Sequence, residues 1–302
     1  MMLSRAILLC LTAITSMAVG TAPARESNDP MPDFLSHKDK PKPVDKPTLN
    51  PPVLDVSEYL VKQLAHPTVN EVKMWNDSKI NYACKKIFTK EGYEVEAIEM
   101  FEVTYEDCDE TPWVMCRHKD AWYQPDLMEF YIGLIPVNMR RFNRHFIALP
   151  ADDKGGRDAY NDYDTIVWKG QASLHSIIAE SAKSLGQYVG GGFPIWSSGT
   201  LAWSDQTWAD LVGHNATAVM NPTSQISLEE AFAQTMVLAI AEMQDVPLGA
   251  FIPEYKKISV LVTSLWESFM WVLLVSNLLF CHERILEDSP VGLPGQLPDI
   301  EV

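Results

Sequence analysis

Positive charge is scarce in this chain: 24 Lys and Arg stand against 40 Asp and Glu over 302 residues, giving a formal charge of -16. Such a surface is repelled by phosphate backbones and by anionic lipid, so nucleic-acid binding is excluded from the expected functions. The sequence also lacks a nucleophile elbow, a phosphate loop and an H-E-x-x-H, the usual signs of serine-hydrolase, nucleotide and zinc-peptidase chemistry. Gly190-Gly191-Gly192 is no dinucleotide fingerprint, because no strand-Gly-helix order surrounds it. No internal repeat is visible. There are five cysteines and no paired C-x-x-C, which ranks disulfides above a thiolate zinc site.

What is present begins with Arg5, the apolar run Ala6 to Ile14 and small residues around Ala18-Val19-Gly20. This is the pattern of a secretory signal peptide over residues 1–20, too short to span a bilayer, with a cut after Ala24 also open. Residues 21–53 are dense in Pro, Lys and Asp and predict a disordered linker. Residues 54–288 are long enough for one core and predict a single domain, followed by a flexible tail at 289–302. Cys10 leaves with the signal, so Cys84, Cys108, Cys116 and Cys281 predict two disulfides in an oxidising compartment. Three pairings are open, and Cys108 with Cys116 plus Cys84 with Cys281 is the preferred one. Asn76-Asp77-Ser78 and Asn215-Ala216-Thr217 are glycosylation sequons.

Periodicity predicts short helices over 54–64 and 80–89, a half-buried strand over 94–105, a turn at Thr111-Pro112 and a strand at 165–168. A longer helix begins near Ser173 with Leu174, Ile177, Ile178, Ala182 and Leu185 on one face, leaving Ala179, Glu180 and Lys183 opposite. A second begins at Ser227, where Glu230 completes a capping box, and is apolar almost all round, as a buried helix would be. Arg140, Arg141 and Arg144 read as a solvated face, with anion binding as the other possibility. Trp196, Trp203 and Trp208 read as core or groove lining, with a sugar platform as the alternative.

The stretch Ile258 to Cys281 is long enough to cross a membrane. Against this, Glu267 near its centre costs about 2.5 to 3.5 kcal/mol in lipid, and Ser259, Thr263, Glu267 and Asn277 form a polar stripe. A packed helix is therefore preferred over membrane contact through 258–281.

Several segments resemble the secreted conidiation-specific proteins of filamentous fungi. They are Tyr105 to Cys108, Pro112-Trp113-Val114-Met115-Cys116-Arg117-His118, Gly133 to Val137, Met139 to His145, Glu229 to Gln234, and Cys281 to Arg284 with Ser289-Pro290-Val291. That family is similar in outline to gluzincin-type zinc metallopeptidases. The resemblance implies a helix-rich α+β domain with a small sheet, secreted and with a binding or developmental role. In such peptidases two His four residues apart on one helix hold zinc, a Glu between them activates water, and a later helix gives a third, acidic ligand. By that resemblance Glu180 stands at the general base, Ala179 and Lys183 at the two His positions, and Glu230 at the acidic ligand. A methyl cannot coordinate and an ammonium repels a divalent cation, so no cofactor and no catalysis are expected. Other readings stay open: Glu180 and Lys183 as an exposed i,i+3 ion pair, Glu230 as a mere capping residue, or a zinc site rebuilt from His175, His214, Glu180 and Glu230 in an active peptidase. No binding partner is identified by these residues.

Overall fold

The computed structural model describes residues 42–76, 78–151, 158–189, 206–274, 284–285 and 289–298. The signal sequence, the linker up to residue 41, Gly190-Gly191-Gly192, Trp196, Trp203 and Cys281 lie outside the described residues.

In chain order the elements are α1 (Ser57–Gln63), β1 (Val69–Met74), β2 (Ile80–Asn81), α2 (Tyr82–Glu91), β3 (Ile98–Tyr105) and β4 (Cys108–His118). Then come α3 (Pro125–Gly133), α4 (Val137–Arg140), β5 (His145–Leu149), β6 (Ala159–Asp162), β7 (Thr165–Lys169) and α5 (Leu174–Val189). The chain continues with α6 (Gln206–Asp210), α7 (Leu228–Met243), α8 (Leu248–Phe251), α9 (Ser259–Leu274) and β8 (Val291–Gly292). The architecture is α+β, with a six-stranded sheet in the order β1-β3-β4-β5-β7-β6. Strands β4, β5 and β7 run parallel and the remaining neighbours antiparallel.

The sheet is buried on both faces at its centre, as parallel strands require. Alternate residues divide between two cores. Phe101, Val103, Tyr105, Trp113, Met115, Phe146, Ala148, Ile166 and Trp168 join the helical layer. Met100, Val114, Cys116, Ile147, Leu149 and Val167 pack with Cys84, Ile87 and Phe88 of α2 on the other side. Four of the eight residues of β3 are buried, as expected of a half-buried strand, while Val95–Ala97 before it is a 3-10 turn rather than strand. The expected turn at Thr111-Pro112 is absent, because Pro112 sits inside β4 where the register with β3 shifts. An irregularity of that kind accommodates a residue with no N–H to donate.

Buried arginines replace the expected solvated cluster. Arg140 is fully buried, lies over the rings of Tyr105 and Trp113 at 4.3 and 4.6 Å, donates to the Ile132 and Gly133 carbonyls and pairs with Asp107. Arg284 lies 3.8 Å from the same Trp113 ring, and Arg144 pairs with Asp164 at 3.1 Å. Ring faces, carbonyls and carboxylates together offset the cost of taking guanidinium groups out of water.

Helix α7 packs against both α5 and α9, which explains its apolar circumference. Leu261, Val262, Leu265, Phe269 and Leu273 of α9 are buried, while Thr263 and Glu267 are exposed as the polar stripe predicts. No helix among the described residues is long and apolar enough to cross a membrane. Trp208 is core, its Nε1 donating to the Leu228 carbonyl.

Two stretches expected to be flexible are ordered. From residue 42 the linker lies along the domain: Leu49 is buried, its N–H donates to the Val219 carbonyl, and Val53 N–H donates to that of Met220. Leu49, the partly buried Val44 and Val53, paired backbone groups and the Lys46 bond to the Ala216 carbonyl hold a segment for which composition alone predicts disorder. In the tail, β8 pairs with β2, Leu297 is buried, and Lys85 donates to the carbonyls of Pro294, Leu297 and Pro298.

The disulfide pairing also differs from the expected one. Cys84 bonds Cys116, taking one partner from each expected pair, so neither of those can form. Cys108 and Cys116 both lie on β4, about 26 Å apart at 3.3 Å per residue, whereas a disulfide needs Cα atoms within about 7 Å. Cys108 is disulfide-bonded as well. With a sequence separation of 32 between Cys84 and Cys116, chain entropy assigns that bond about 3 to 4 kcal/mol. Replacing both cysteines by Ser is expected to lower the unfolding free energy in urea by about that amount. A non-reducing peptide map should recover Cys84 linked to Cys116; a Cys108–Cys116 peptide would refute the pairing.

Candidate functional site: a buried lysine between two carboxylates

The apolar face of α5 is where the spacing predicts, with Leu174, Ile177, Ile178, Ala182 and Leu185 all buried. The opposite face is not solvated. Helix α5 is flanked by α1, α4, α7, β6 and β7, so Ala179, Glu180 and Lys183 are 0, 5 and 5% exposed. Glu180 and Lys183 are therefore not an exposed ion pair.

The Lys183 ammonium stands 3.0 and 2.8 Å from the two Glu180 oxygens and 3.0 Å from Glu230 Oε1 on α7. Glu230 serves twice: its backbone N–H donates to Ser227 Oγ at 3.1 Å, capping α7, while its carboxylate accepts from Lys183. Only half of the predicted capping box forms, because the side chain is committed to the neighbouring helix. Burial alone would depress the Lys183 pKa, but the Glu180 and Glu230 carboxylates outweigh it and the net shift is upward. The lysine is thus a fixed cation in the core.

One turn earlier, His175 is buried and its Nε2 lies 3.0 Å from Gln234 Oε1. The same oxygen accepts from Asn221 Nδ2 at 2.8 Å, so the imidazole donates through Nε2–H and Nδ1 carries the lone pair. That Nδ1 is buried with no hydrogen-bond partner among the described residues. Burial, the dominant cause, holds the His175 pKa below the usual value and keeps the ring neutral. His175, Glu180, Gln234, Asn221, Asp158 and Ser176 line a cavity of about 230 Å³.

His214 does not join them. Its side chain is 81% exposed, on the segment after α6, 3.9 Å from Asp210. No group of three or more His, Cys, Asp or Glu capable of holding a metal occurs among the described residues. The sequon residues Asn76 and Asn215 are both exposed.

Sequence reasoning missed Gln234, Asn221 and Asp158. Gln234 was within reach, since it follows Glu230 by four residues and shares its helix face. Asn221 and Asp158 lie outside any periodic segment and arrive only through the fold. Comparison with protein-family models, with curated proteins and with solved structures gives no match to this chain.

Removing the ammonium strands two carboxylates in the core. Lys183→Met is expected to destabilise the protein by about 3 to 5 kcal/mol at pH 7 in urea unfolding. The folded pKa lies above the ordinary value of 10.5, so the stabilisation is fully present below pH 10.5 and is lost as pH climbs through the folded value. On the alkaline side, the gap between wild type and variant should therefore persist past neutral pH and narrow in strongly alkaline solution. A variant as stable as wild type at pH 7 would show that the lysine is not holding the two helices.

Proposed function

We propose that this chain is a secreted, zincin-like protein of the conidiation-specific kind that acts by binding and not by hydrolysis, its own lysine standing in place of a catalytic metal. The observation that carries this reading is the reach of Lys183 to Glu230. On this reading Lys183 stands for the second imidazole and Glu230 for the acidic ligand, and their side chains meet at 3.0 Å, so a cation covalently part of the chain takes the place of a metal. The first position is the methyl of Ala179, fully buried. A methyl, an ammonium and two carboxylates engaged by it do not fit zinc, which takes deprotonated N, S or O donors. On this reading no reaction step runs through a metal.

An active peptidase built from His175, Glu180, His214 and Glu230 is the weaker reading. His214 is on the surface, His175 is committed to Gln234 through Nε2, and Glu180 holds Lys183. Secretion is supported by the disulfide chemistry and by the exposure of Asn76 and Asn215, which are proposed to carry glycans. A membrane anchor is disfavoured by the packing of 258–274 against α7.

Elemental analysis of the purified secreted protein is expected to find zinc far below one per chain, and Glu180→Gln should leave any trace peptidase activity of the preparation unchanged. One tightly held zinc per chain, or activity abolished by Glu180→Gln, would overturn the reading.

A further inference from the structure

Strand β1 forms one edge of the six-stranded sheet and, among the described residues, pairs with β3 alone. From Asn70 to Met74 every residue is exposed, so neither face of the strand is covered. An uncovered edge is a template for another strand. The Trp75 N–H donates to the Met100 carbonyl, and along an antiparallel ladder the backbone groups of successive residues point to opposite sides. Lys73 therefore faces β3 as Trp75 does, while Val72 and Met74 direct their N–H and C=O groups outward.

The side chains of this edge are complementary to themselves. Val72 and Met74, 42 and 40% exposed, lie on one face, and Glu71 and Lys73 lie on the other. A second copy placed antiparallel, with Val72 opposite Val72, sets Glu71 of each chain opposite Lys73 of the other and Met74 opposite Asn70. Lys73 already stands 3.6 Å from Glu102 on β3, so carboxylate, ammonium and carboxylate follow one another across three strands. Glu71 is opposite the neutral Thr104 on β3, and the second copy supplies the cation that its own ladder does not. Registers displaced by two residues keep the outward backbone groups paired, but they set Glu71 against Glu71 or Lys73 against Lys73. Like charges directly opposite are destabilising, so the charges select a single two-fold register. The irregularity between Val69 and Glu71 limits the regular stretch, and the exposed charges disfavour pairing with uncharged strands.

We propose that β1 is a self-association edge, through which two copies of this chain pair antiparallel about Val72 and join their sheets into one. Charge complementarity on an uncovered strand carries the proposal, which stands independently of the zincin-like reading. A contact through one short strand falls below about 1,200 Å², the low end of specific interfaces, so the dimer is weak and concentration-dependent. At about 0.15 M salt the repulsion between two acidic chains is screened beyond about 8 Å, while the pairs across the ladder lie inside that range. The sequon residue Asn76 falls beyond the paired residues 70–74.

The test is sedimentation velocity of the full secreted chain at that salt from about 1 to 200 µM, the range over which a small interface dissociates. Monomer at the low end and dimer at the high end are expected, with nothing larger. Val72→Pro removes an outward N–H and leaves the β3 ladder intact, a change that edge strands tolerate, and it should abolish the dimer. Glu71→Lys and Lys73→Glu should each weaken self-association by at least about tenfold, since two attractive pairs become repulsive. Mixed in equal amounts, these two charge variants present opposite charges to one another at both pairs, and a dimer should return. Misfolding of either variant would not be repaired by mixing. A wild-type chain that stays monomeric throughout, or species larger than a dimer, would overturn the proposal. So would a Val72→Pro or Glu71→Lys protein that dimerises like wild type, or a mixture of the charge variants that remains monomeric.

Discussion

A buried ammonium must be paired, and the rest of the helical layer is arranged around that requirement. An isolated lysine in a core would lose its proton or unfold its surroundings. Lys183 does neither because Glu180, on its own helix, and Glu230, on α7, approach within 3.0 Å. The interaction has consequences that apolar packing alone would not have. Leu, Ile and Ala on α5 would tolerate some sliding against α7, since dispersion contacts are individually weak and non-directional. A lysine fork held by two carboxylates does not. It fixes both the rotation of α5 and its height against α7, and through the capping role of the Glu230 backbone it fixes where α7 begins.

The sheet is secured by a separate set of strong local devices, concentrated in the segment from Pro112 to His118. Trp113 receives Arg140 and Arg284 against its ring, Cys116 ties β4 to α2, and Arg117 donates to the carbonyls of Tyr123, Lys119 and Ala121. His118 accepts from the Asp120 N–H and stacks on Phe88. These residue types look like chemistry when met in a sequence. In the fold each is spent on holding a strand, a turn or a terminal segment, which is why the most distinctive block of the chain contributes nothing to the candidate site.

Legibility in the sequence followed the range of the physics. The apolar stripe of α5, the circumference of α7 and the polar stripe of α9 were all readable, because helical periodicity is a local property. The burial of Glu180 and Lys183 was not. Periodicity names the face that meets one neighbour, and only the tertiary arrangement reveals that α5 has neighbours all round. The same limit explains Arg140, whose burial depends on Tyr105, Trp113 and Asp107 from β3, β4 and the turn between them. The disulfides failed for a related reason: cysteine spacing does not reveal that β4 runs straight through Cys108 and Cys116 and holds them apart. At 42–53 and 289–298 composition predicted disorder, but a few paired backbone groups and the buried Leu49 and Leu297 hold these segments in place.

The identity of the cation matters for what the site can be. A divalent metal between α5 and α7 would be exchangeable, dependent on supply and open to water in at least one coordination position. A lysine supplies one positive charge that cannot dissociate, and it uses its N–H groups as donors to the carboxylates that a metal would need as ligands. On the proposed reading, charge compensation across the helix pair is kept while Lewis acidity and an activated water are given up. On the proposed reading, loss of catalysis and retention of the fold are consequences of the same substitution.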